Sequence, residues 1–72
     1  MSKTLRWFHH KYERILQSNL TDNQKSREYA NLMTEMEHEF EIPILKNEEW
    51  EKKNKAVIAL YRKISMSRSL KE

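Results

Sequence analysis

Not one glycine occurs in the 72 residues of this chain, so every backbone position must suit a residue that carries a Cβ. The phosphate-cradling loop, the dinucleotide fingerprint and the strained nucleophile elbow each need glycine, for their backbone angles or for close approach to a ligand. All three are excluded. Asn-Gly and Asp-Gly hairpin turns go with them, and no stretch alternates apolar with polar residues long enough to read as a strand. The expected fold class is therefore all-α.

A chain of this length makes one domain, residues 1–72, and buries only about 60% of the surface of its unfolded form. Hydrophobic residues make up 38% and charged residues 35%, too apolar for a fully disordered chain and too polar for one that spans a membrane. Cysteine is absent, which removes disulfides, thiolate metal sites and thiol nucleophiles. The opening residues, Met1 to Arg6, lack the apolar run of a secretory signal, so the expected location is cytoplasmic. Frequent Lys, Asn, Glu and Ile with few Ala fit an AT-rich bacterial or phage genome.

Apolar residues Leu5, Phe8, Tyr12, Ile15 and Leu16 recur at three- and four-residue steps and predict a first helix over 3–18, capped by Ser2 or Thr4 and ended by Ser18-Asn19. Thr21-Asp22-Asn23-Gln24 reads as a capping box that opens a second helix over 22–40. Its apolar stripe, Tyr29, Leu32, Met33, Met36 and Phe40, falls within roughly 100°. Joined by so short a turn, the two helices should pack as an antiparallel αα-hairpin. Pro43 stops the second helix near Phe40 or Glu41. Ile42, Ile44 and Leu45 then form a linker expected to dock against the hairpin. Asn47 with Glu48 and Glu49 starts a third helix over 48–65, carrying Trp50, Val57, Leu60, Tyr61 and Ile64. Lys53 and Asn54 interrupt that stripe, so a break at Asn54 with a restart at Lys55 is allowed. Beyond Ile64 the stripe meets Ser67 and Arg68, and a tail over 66–72 is expected to fray. Three helices around one core is the expected architecture; a hairpin completed by a second copy in a dimer is its rival.

Charge is unevenly divided. Residues 1–20 carry a net +3, residues 21–45 a net −4 and residues 46–72 a net +4. Helices of opposite sign packed side by side account for this pattern internally; a basic surface offered to a partner is the sharper alternative. Trp7 favours the sharper one. It lies about 130° from the apolar stripe of its helix, among Lys3, His10, Lys11 and Arg14. An indole there is covered by the C-terminal segment, by a partner or second copy, or by a nucleic-acid or membrane surface.

Catalytic and metal-binding constellations do not assemble. Adjacent His9 and His10 diverge by about 100° on a helix, the His9–Glu13 pair supplies half of what a structural zinc site uses, and His38 falls opposite its helix's apolar stripe. Ser65, Ser67 and Ser69 lack an oriented base, and Glu35, Glu37, Glu39 and Glu41 spread around their helix instead of forming a dyad. Arg62 to Ser65 and Arg68-Ser69 resemble phosphoacceptor contexts too short to be specific. The sequence thus predicts a protein that is not an enzyme, holds no cofactor or metal, and acts by binding another macromolecule. That macromolecule is expected to be a protein, met by Lys3, Trp7, His10, Lys11 and Arg14; a regulator, inhibitor, accessory or immunity-type protein would fit, and a homodimer is a further possibility. The alternative is nucleic-acid binding through the basic first and third helices. The Pro-containing linker and the lack of a base-reading cluster weigh against a helix-turn-helix.

Overall fold

In a computed structural model of the chain, residues 3–69 are described, and over this span the protein is helical without a strand. The helices are α1 (Leu5–Leu16), α2 (Asp22–Phe40), α3 (Glu48–Lys53) and α4 (Lys55–Ser69). Thr4 starts α1, its hydroxyl oxygen accepting the Trp7 amide at 3.1 Å. Ser2, the other expected cap, lies outside the described residues. The capping box of α2 forms in both directions: Thr21 Oγ1 accepts the Gln24 amide at 3.1 Å, and Gln24 Oε1 accepts the Thr21 amide at 3.0 Å.

α2 closes on Glu41, which adopts a left-handed conformation with φ 54°. Glycine ordinarily takes this place, and a side chain there costs on the order of 1 kcal/mol. The chain then folds back, the Ile42 amide donating to the Glu37 carbonyl at 3.2 Å. Asn47 caps α3 through its side chain, which accepts the Trp50 amide at 3.0 Å. The break at Asn54 is real. Its amide donates to the Trp50 carbonyl at 3.0 Å and its side chain to the same oxygen at 2.8 Å, while its own carbonyl accepts the Ile58 amide to begin α4.

Phe8, Tyr12 and Ile15 of α1, Tyr29, Leu32 and Met36 of α2, and Val57, Leu60 and Ile64 of α4 form one buried cluster. Phe8, Met36 and Ile64 are fully enclosed. Phe40, Tyr61 and Trp50 pack on its edge. The Phe8 ring lies 5.5 Å from Phe40 and the Tyr12 ring 5.6 Å from Tyr29, so α1 and α2 run antiparallel. α2 also packs along α4, whereas α1 and α4 meet over a narrower line. The bundle measures only 16 Å in its thinnest direction, so each helix keeps one face outside.

Three expectations are corrected. α4 continues to Ser69 and does not fray from 66, because Ser67 is tied in: its Oγ lies 2.8 Å from Tyr12 Oη and donates to the Lys63 carbonyl at 3.1 Å. The rest of the expected tail, 70–72, is outside the described residues. Leu16 is 47% exposed although it shares the α1 stripe, since α1 ends there against the polar groups of Asp22, Lys25, Ser67 and Arg68. In the linker only Ile42 docks; Ile44 and Leu45 are 99% and 80% exposed. They form the bend of the reversal and project outward, and the core end beneath them is already covered by Phe40, Ile42, Trp50 and Tyr61.

Candidate functional site

The residues singled out in α1 divide into two groups. Trp7 stands with its edge against Phe8, ring centroids 4.9 Å apart and planes at 85°. Lys3 Nζ sits 4.6 Å from the indole centroid and Lys11 Nζ 5.9 Å from it, so two ammonium groups bear on the ring's electron-rich face. Lys3 is held there by Glu35 of α2 at 3.3 Å. Trp7 keeps 36% of its surface exposed. The described part of the C-terminal segment does not provide its cover, because Ser67 and Arg68 pack at the other end of α1, beside Leu16 and Tyr12. Arg14 is exposed and makes no hydrogen bond or ion pair among the described residues.

His10 belongs to a different place. With Arg6 and His9 it forms one wall of a groove of about 650 Å³ between α1 and α4, and Lys63 stands on the opposite wall. The floor is Leu5, Ala56, Ala59 and Leu60. The groove exists because two of the chain's three alanines face α1 here: a methyl group cannot fill the space between diverging helices as the larger side chains do along α2. Arg6 and the two alanines were not singled out from the sequence, and Lys63 entered only through the Arg62 to Ser65 segment. The signal that would have found them is the pair of alanines three residues apart in a helix otherwise rich in large side chains.

Charge is sorted by helix. α1 carries three Arg or Lys against Glu13, and α4 carries four with no acidic residue, while α2 carries five acidic residues against two basic ones. The ion pairs use only part of this: Lys3 with Glu35, Arg62 with Glu51 at 2.8 Å, and His9 with Glu13 at 3.8 Å when the imidazole is protonated. At the opposite edge of the bundle, burial and a hydrogen bond donated to Glu37 push the Tyr61 phenol up to about 12, against a smaller opposing pull from Arg68. Burial, with the Tyr12 phenol beside it, also raises Tyr29. Among the described residues no group of three or more His, Asp or Glu side chains could hold a metal ion, and no helix is long and apolar enough to cross a membrane.

Comparison of the chain with protein families, with curated proteins and with solved structures returned no match.

Proposed function

We propose that this is a small non-catalytic helical protein that binds another protein through the face built on Trp7. The observation that carries the reading is the placement of the indole: outside the buried cluster, over a third exposed, and flanked by Lys3 and Lys11. Partner contact would strip the remaining water from a large apolar ring whose position is already set by Phe8 and two cations, so little freedom is lost on binding. Arg14, exposed beside it and without an ion pair among the described residues, supplies donors at the rim that steer encounter, whereas His10, expected on this face from the sequence, lines the α1–α4 groove. We place the protein in the cytoplasm of a bacterium or a phage-infected cell; its composition and its reliance on packing without disulfides support this.

The test is a photoreactive side chain at Arg14, activated in the cells from which the protein comes, with and without Trp7→Ala. A protein adduct that Trp7→Ala reduces by about tenfold or more is expected, since loss of a hot spot costs about 2 kcal/mol. Melting of Trp7→Ala should fall less than that of a core truncation such as Leu32→Ala. Adducts lost on nuclease treatment, or protein adducts indifferent to Trp7, would sink the assignment. So would a Trp7→Ala variant that no longer folds.

A further inference from the structure

We infer that the groove between α1 and α4 is a second docking surface, and that its occupant is an acidic amphipathic helix of a protein partner. This rests on the reading that the chain binds a protein; it adds a separate face and the chemistry of what binds there. Three observations define the occupant. The floor of Leu5, Ala56, Ala59 and Leu60 is apolar, with Leu60 already part of the core, so whatever lies on it must present an apolar stripe. Ala56 and Ala59 are both exposed and small, which lets a helix backbone approach closely along α4.

The third observation is charge. No acidic side chain lines the groove, and its walls hold Arg6, His9, His10 and Lys63. Arg6, His10 and Lys63 form no ion pair among the described residues, although Lys3 and Arg62, cations of the same two basic segments, each meet a carboxylate. The nearest acid along α1, Glu13, is turned to His9. A helix with an apolar stripe bordered by Asp or Glu would satisfy both walls while it buries the floor. A nucleic acid would meet the cations but leave the apolar floor unused, and the exposed indole on which a base could stack lies outside this groove.

The experiment titrates the full chain into a labelled synthetic amphipathic helix of about 15–20 residues, with Leu along one stripe and Glu beside it. A second peptide replaces every Glu with Lys. The acidic peptide should bind at least about tenfold more tightly than the basic one, and added salt should narrow the gap. Ala59→Phe fills the groove from an exposed helical position, so it should remove binding while the helical signal and the melting temperature are kept. Arg6→Glu with Lys63→Glu should weaken binding by about tenfold or more. Equal binding of the two peptides, or binding unchanged by Ala59→Phe, overturns the inference. Tighter binding of a random-sequence DNA duplex than of the acidic peptide at physiological salt overturns it in favour of nucleic acid. Self-association that Ala59→Phe abolishes gives the groove to a second copy. The Arg14 cross-link reads a different face, so loss of the groove leaves the Trp7 assignment standing, and loss of the Trp7 adduct leaves the groove standing.

Discussion

The seams that α2 makes with its neighbours and the seam between α1 and α4 are built from side chains of different size. Along α2, Tyr29, Leu32 and Met36 meet Phe8, Tyr12, Ile15, Val57, Leu60 and Ile64 in one buried cluster. Between α1 and α4 the facing residues include Ala56 and Ala59, and the helices stand apart above their shared core. Both seams belong to one bundle, yet along the α1–α2 line only a small cleft is left, whereas between α1 and α4 a wide groove stays open. Side-chain volume decides where a thin helical domain keeps its interior and where it offers a surface, and here the open seam coincides with the two basic helices.

The largest effect that separates the seams is expected at Leu32. Leu32→Ala removes a buried side chain from the α2 seam and should cost about 2–5 kcal/mol, most or all of what a domain this small has. Chemical denaturation should find the variant largely unfolded. A wild-type melt would mean that α2 is not the centre of the core. A smaller effect is expected at the tie between α1 and α4. Tyr12→Phe keeps the ring in the core and deletes only the hydroxyl beside Ser67, so about 1 kcal/mol should be lost, with hydrogen exchange rising first at the end of α4. If exchange rises instead along the middle of α2, the two seams are not independent.

The smallest effect concerns pH and the α2–α4 contact. Tyr61 titrates at about 12 in the folded chain against an ordinary value near 10. The protonated phenol is the form the fold prefers. Its contribution to stability is therefore fully present below pH 10 and is lost as pH rises through about 12. Ultraviolet titration of wild type should show late tyrosinate components from Tyr61 and Tyr29, of which Tyr61→Phe removes the one at about 12. If the component at about 12 stays in Tyr61→Phe, it does not belong to the phenol that donates to Glu37.

How far the sequence could be read differs from one part of the chain to the next. α2 was legible at both ends, its stop expected near Phe40 or Glu41, because Thr21 and Gln24 satisfy each other's backbone groups and Pro43 stops a helix by local chemistry. The sequence left a break at Asn54 open, because Lys53 and Asn54 interrupt the apolar stripe of a helix expected over 48–65, and the Asn54 side chain bonded to the Trp50 carbonyl decided it. The position of Trp7 outside the core followed from helical angle alone. Which cations would stay unpaired did not, since Lys3 is matched by Glu35 across thirty-two residues of sequence and Arg62 by Glu51 across eleven.

By itself the sequence determined the all-helical class, the caps at Thr21 and Asn47 and most of the apolar stripe each helix buries, because these depend on groups a few residues apart. The tertiary structure alone decided the rest. It set Ile44 and Leu45 outside and only Ile42 inside, since docking depends on whether the core end is already covered. It kept α4 helical to Ser69 through a hydroxyl on α1 fifty-five residues away. It also opened the α1–α4 groove, because a gap between helices is a property of two surfaces in register, and neither helix carries that register in its own residues.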